Sequence, residues 1–163
     1  AQVTVIPPLP SYITQDTDDG TMLNEGSLGM QLKRGSFEMF FTGDGEVEAT
    51  ARWRTAFASL SQDVEALKVG HHGANNAIFD NGFSGASSWL AHTSPEVAVI
   101  SANGTTHPRI NALNALLTLS NLRTYCTNVH GEIVIRVTGT GSYTVSTEKN
   151  ANAVCVAGSQ ATT

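Results

Sequence analysis

The chain is poor in charge: Asp, Glu, Lys and Arg make up 14 % of its 163 residues, against roughly 25 % in an average globular domain. Basic residues are scarcer still, nine Lys and Arg against fourteen Asp and Glu, for a net charge of −5. No basic run exceeds the pair Lys33-Arg34, so the electrostatic stripe that drives tight non-specific nucleic-acid binding is missing. A nucleic acid then remains conceivable only as a substrate, at a site where a metal ion supplies the positive charge. No apolar run approaches the ~20 residues that cross a bilayer. Ala1-Gln2 opens the chain without a charged or apolar leader pattern, which reads as a signal peptide absent or already removed. There is no internal repeat and no linker dividing the chain. No histidine precedes His71.

Only two cysteines are present, Cys126 and Cys155, and they lack the close spacing of a zinc knuckle. As a pair they would close a loop of about 30 residues and staple a polar tail, worth roughly 3 kcal/mol in the chain-entropy model. The alternative is two independent buried thiols. A disulfide and a surface of Asn, Thr, Ser, Gly and Ala point to a secreted or extracytoplasmic protein.

What is present alternates between strand and helix patterns. Residues 3–6 form a β-branched run ended by Pro7-Pro8. Residues 10–20 are polar, and Asp16, Asp18 and Asp19 read as a solvated loop, since a calcium loop needs better-spaced oxygens. Residues 27–32 and 37–42 read as a hairpin turning at Gly35. Residues 46–60 place Ala49, Trp53, Ala56, Phe57 and Leu60 on one helical face, behind an acidic first turn. A strand is expected at 64–69, a short helix at 84–92 and a strand at 97–101. A further helix is expected with Pro108 in its first turn. Strands follow at 122–126, 132–137 and 142–145. The order defines an α/β domain, a mixed sheet with helices on one face, over residues 1–145, and a polar tail over 146–163.

Three polar clusters directly follow strands: Thr42-Gly43-Asp44-Gly45, Gly70-His71-His72-Gly73, and Asn103-Gly104-Thr105-Thr106-His107-Pro108. Ligands gather at strand ends in α/β sheets, and flanking glycines let the backbone bend close to a ligand. Asp and His suit zinc, or manganese or iron in a mixed site. Singly, each cluster has a plainer reading: a turn at Asp44, a surface pair at His71-His72, a helix cap at His107.

Their order carries more. Asn24-Glu25-Gly26-Ser27-Leu28, Phe41-Thr42-Gly43-Asp44, Leu67-Lys68-Val69-Gly70-His71-His72-Gly73, Val99-Ile100-Ser101 leading to His107-Pro108, and Tyr125 to Gly131-Glu132-Ile133 together resemble the metallo-β-lactamase superfamily. The nearest branch is the hydrolase domain of ComEC-type DNA-uptake proteins and their secreted relatives. The resemblance covers about residues 3–137. It implies the C-terminal half of an αββα sandwich with a metal site at one edge. It also implies Asp44 as a metal ligand, His71 or His72 as another, and His107 near the leaving group. Asn24 and Ser27 would orient the loop, and Lys68 would serve the strand end. Asp44, His72 and His107 are thus the expected catalytic groups, around two metal ions in the complete site.

One departure is large: the superfamily's HxHxDH motif is absent. Asp44 and one His are too few for a zinc site. The resemblance therefore implies a missing N-terminal half or partner chain that supplies further ligands and a second β-layer over the exposed sheet face. Two functions remain in view. One is the C-terminal part of a metal-dependent hydrolase of phosphodiester or related ester bonds, or of another small-molecule bond. The other is a non-catalytic binding or assembly module that kept the fold.

Overall fold

The computed structural model describes residues 1–10 and 20–161; the acidic group at Asp16, Asp18 and Asp19 lies outside them. Six strands form one mixed sheet in the order β1-β2-β3-β4-β5-β6: β1 (Gln2–Ile6), β2 (Gly29–Arg34), β3 (Phe37–Phe41), β4 (Ala66–Lys68), β5 (Val97–Ile100) and β6 (Arg123–Cys126). The pairs β1–β2 and β2–β3 are antiparallel, and β3 to β6 run parallel. The expected hairpin forms between β2 and β3, with Gly35 at φ +62° in the turn.

Register separates the two faces of the sheet. One row runs Gln31, Phe40, Leu67, Ala98. It faces the helices α2 (Val47–Ala56), α3 (Ala58–Ser61), α4 (Ser88–Thr93) and α5 (Ile110–Leu117). Trp53, Trp89, Leu90, Leu113 and Leu116 bury themselves there against Phe40 and Leu67. Phe40, Trp53 and Trp89 pack edge-on or tilted, with centroids 5.5–5.9 Å apart, geometries aromatic pairs favour. A short helix α1 (Gly20–Glu25) leads into β2. Its last residue, Glu25, accepts hydrogen bonds from the amides of Glu48 and Ala49 at 2.9 and 2.5 Å, filling orphan donors of α2.

The opposite row runs Val3, Leu32, Met39, Ala66, Val97. The last two expected strands do not join the main sheet. They pair only with each other as β7 (Ile133–Val137) and β8 (Tyr143–Thr147). Ile133, Ile135, Val137, Tyr143 and Val145 of this hairpin cover Phe37, Met39, Ala66, Val97 and Tyr125. The second face is therefore partly covered by the chain itself, and the uncovered part lies toward β1, where Val3 and Val5 remain 56 % and 52 % exposed.

Three helix readings change. The expected helix over 46–60 is broken at Phe57, which separates α2 from α3. Pro108 is not inside its helix: it follows a cis bond to His107, and α5 begins at Ile110. The helix over 84–92 is shorter than its pattern, because Ser87 caps it by accepting from the Leu90 amide, a favoured N-cap role. No helix among the described residues is long and apolar enough to cross a membrane.

Candidate functional site

Because β3, β4 and β5 are parallel neighbours, the three motifs that follow them emerge at one edge of the sheet. Thr42 is fully buried and donates its hydroxyl to the Lys68 carbonyl at 2.7 Å. Gly43 turns the chain at φ +54°, and its carbonyl accepts from the His71 amide at 3.1 Å. The Asp44 amide donates to Ser27 Oγ at 3.1 Å. Ser27 and His71 thus hold the Asp44 loop from two sides.

His71 and His72 both sit in the left-handed region, at φ +42° and +55°. That conformation is costly for a side-chain-bearing residue and gathers at functional sites. It turns both rings toward the Asp44 loop. His72 Nδ1 donates to the Ser101 carbonyl at 2.6 Å. A neutral His72 must then carry its lone pair on Nε2, 3.6 Å from Asp44 Oδ1. Two electron-rich atoms held that close favour a cation between them, either a proton on the ring or a metal ion. His71 Nδ1 lies 2.9 Å from Glu46 Oε1, a carboxylate 3 % exposed that also accepts from Asn24 Nδ2 at 2.7 Å. The distance is that of a hydrogen bond but the alignment is not, so this buried nitrogen is left without one. An orphaned nitrogen beside a buried carboxylate again suits a cation.

His107 completes the group. Its ring stacks on His71 with centroids 5.6 Å apart and lies 6.1 Å from the ring of His72. Burial, followed by Arg109, His71 and His72, holds its pKa below the usual 6.5 against the pull of Asp44. The neutral form of the ring is thereby favoured, the form that can bind a metal or accept a proton. Its Nδ1 meets Thr106 Oγ1 at 3.1 Å. Two clefts of about 320 Å³ flank it, one toward His71 and Arg109, the other toward His72 and Ser101. Lys68 donates its ammonium to the Val69 carbonyl at 2.9 Å, and burial lowers its pKa against the pull of Asp44.

The His107 loop is itself held by its own Asn103 and by two other parts of the chain. Asn103 Oδ1 accepts from the amides of Thr105 and Thr106. The Gly73 carbonyl accepts from the Arg109 amide at 2.9 Å. The tail supplies the rest, through Gly158 N to the Pro108 carbonyl at 3.0 Å, Ser159 N to Gly104 at 2.9 Å and Gln160 N to Thr105 at 2.7 Å.

The structure therefore brings together Asp44, His71, His72 and His107, with Asn24 and Ser27 behind them. Glu46 and the Ser101 carbonyl also belong to this group. Glu46 had the plainer reading of an acidic first helical turn; its place two residues beyond Asp44 was the available signal. No model of a known protein family matches the chain, and no curated protein matches it.

A second group of potential ligands lies elsewhere. Cys126, His130 and Cys155 are buried, with donor atoms all within 4.8 Å of one another, a set that could hold a metal ion were the sulfurs free thiolates. Here the two sulfurs are joined as a disulfide, with Cα atoms 5.8 Å apart. His130 is also fully engaged: Nδ1 accepts from the Cys126 amide at 3.1 Å and Nε2 donates to the Ala153 carbonyl at 3.0 Å. In this state the group is a clasp between β6 and the tail.

Proposed function

We propose that this chain is the C-terminal part of a metal-dependent hydrolase of the metallo-β-lactamase superfamily, on its ComEC-like branch, acting outside the cytoplasm on phosphodiester or related ester bonds. The observation that carries the reading is the pairing of the Asp44 carboxylate with the bare Nε2 of His72, beside the orphaned Nδ1 of His71. Asp44, His72 and His71 would hold zinc, or manganese or iron, in a site built for two ions. The bound metal supplies Lewis acidity, which makes water a nucleophile near neutral pH and steadies charge on the substrate oxygens. Ser27 fixes the Asp44 loop, and Asn24 fixes Glu46 against His71. His107 faces the clefts, where its imidazole could accept a proton from the attacking water and pass that proton to the leaving group. A second segment, bearing the HxHxDH ligands, completes the coordination.

The competing reading is a binding or assembly module that no longer takes a metal. Its support is that, among the described residues, no three donors at this edge all lie within 4.8 Å of one another. Zinc titration separates the two. On the hydrolase reading the chain takes up zinc once the HxHxDH segment is added, and Asp44→Ala weakens that uptake and abolishes metal-dependent phosphodiester hydrolysis. A wild-type chain that takes up no zinc with that segment present would end the proposal.

A further inference from the structure

The tail after Cys155 looks like a polar terminus, but its backbone is ordered against the loop that carries His107. Its three amide hydrogen bonds fall on Gly104, Thr105 and Pro108, so they bracket His107 from both sides. The contact is too close for any side chain: a Cβ on Gly158 would lie 2.5 Å from the Thr105 carbonyl oxygen and 2.8 Å from the His107 amide nitrogen. Three residues upstream, Cys155 is bonded to Cys126, and Cys126 ends β6, the strand beside β5. Asn128 ties the intervening stretch by donating to the Val156 carbonyl at 3.4 Å. His130 ties the residues just before Cys155 by donating to the Ala153 carbonyl. The side chains of Val154 and Val156 do little of this work, being 64 % and 55 % exposed.

We infer that residues 158–160 are a positioning segment of the site, holding His107 against His71 and His72, and that the Cys126–Cys155 bond keeps that segment in place. The physical reason is how little else anchors it, only the Asn128 bond to Val156 and the partly buried Ala157. The segment buries almost no apolar side chain, so its hydrogen bonds must overcome the backbone entropy of ordering the tail. A covalent link three residues away removes much of that entropy in advance, much as a short linker raises effective concentration. The loop in turn has Gly104 at φ +75° and few internal bonds beyond those to Asn103. The ring of His107 therefore stays on His71 only while the tail closes the loop from outside. For its functional meaning this rests on the metal-site reading, but the positioning itself does not.

The test uses the metal-free chain. Amide hydrogen exchange and the ¹H–¹⁵N imidazole resonances of the five histidines are compared in wild type, C126A/C155A and G158V. In C126A/C155A the amides of Ser159 and Gln160 should lose at least tenfold in protection and the His107 resonances should move, while β3, β4 and β5 keep their protection. If removing the disulfide unfolds the chain, G158V decides, because its clasp is intact. There the added side chain should displace the loop and shift His107 while His130 stays unchanged. Unmoved His107 resonances in G158V would overturn the inference. So would full protection of Ser159 and Gln160 in a folded C126A/C155A chain. Neither readout involves a metal, so failure of the hydrolase proposal would be seen separately, in the zinc titration.

Discussion

His130 and the trio His71, His72 and His107 are the same residue in opposite surroundings. His130 is fully buried, packs edge-on against Tyr125 with centroids 5.3 Å apart, and has both ring nitrogens in hydrogen bonds to the backbone. The trio faces clefts and one another. Among the described residues none of its Nε2 atoms has a hydrogen-bond partner, and two of its members sit on left-handed backbone. A satisfied histidine on ordinary backbone is part of the structure. Histidines gathered round a carboxylate, two of them on strained backbone, are an arrangement of the kind that marks candidate sites.

That contrast breaks most visibly in stability. His130→Ala leaves the Cys126 amide and the Ala153 carbonyl without their partner and opens a cavity beside Tyr125. The expected loss is about 3 kcal/mol. Removing the disulfide in C126A/C155A should cost a similar amount, roughly 3 kcal/mol. His72→Ala, at a half-open site on unfavourable backbone, should cost no more than about 1 kcal/mol. Urea unfolding of the three proteins checks the order. A His72→Ala chain as weak as His130→Ala would show that the strand-end histidines hold the fold together, and the contrast would fail.

Much of this was legible in the sequence because glycine-flanked polar clusters directly follow apolar strands. Gly43-Asp44, Gly70-His71-His72-Gly73 and the loop ending in His107 each announce a chain that bends at a strand end. Parallel pairing then leaves one edge for them to share. The hairpin turn at Gly35 was legible for the same reason. The packing of β7–β8 was not: an alternating strand shows that one face is buried but not against which sheet. Nor was the role of the tail, since hydrogen bonds from Gly158, Ser159 and Gln160 are made by backbone and leave no side-chain pattern. Glu46 was hidden because an acidic residue before a helix has an ordinary explanation. The proposed reaction class rests on the resemblance carried by the order of the motifs, which the geometry does not reproduce.

A smaller effect concerns pH. Burial is the largest cause of the lowered pKa of both His107 and His92, with Arg109 and Arg54 respectively next. His92 stacks on Trp89 and meets Ser61 Oγ at 3.0 Å, far from any proposed chemistry. For both, the unfolded chain binds its proton at higher pH than the folded one does. Stability is thus fully present above the ordinary value of 6.5 and falls as pH drops below it. The urea midpoint should decline between pH 7.5 and 5.5, and His92→Gln should flatten part of that decline without changing zinc uptake. His107→Gln should flatten it too, and should also slow any hydrolysis. A wild-type midpoint that does not fall relative to that of His92→Gln on acidification would contradict the sign for His92, since Glu25, whose raised pKa acts in the opposite direction, is common to both.

The smallest effect belongs to the hairpin on the other face. Tyr143 packs tilted against Phe37 with centroids 5.1 Å apart and donates its hydroxyl to Glu96 Oε2 at 2.5 Å. Burial and that carboxylate push the phenol pKa well up, so the hydroxyl remains a donor throughout the accessible pH range. Tyr143→Phe keeps the ring packing and deletes only this bond. Because Glu96 is exposed and water can replace the hydroxyl, the net loss should be about 1 kcal/mol. The change should appear in unfolding and in exchange of the β7–β8 amides, and zinc uptake should be untouched. The two-stranded sheet would then be a cover that stabilises without taking part in the site. A Tyr143→Phe chain with altered zinc uptake would mean instead that this cover and the strand-end histidines are coupled through β3, β4 and β5.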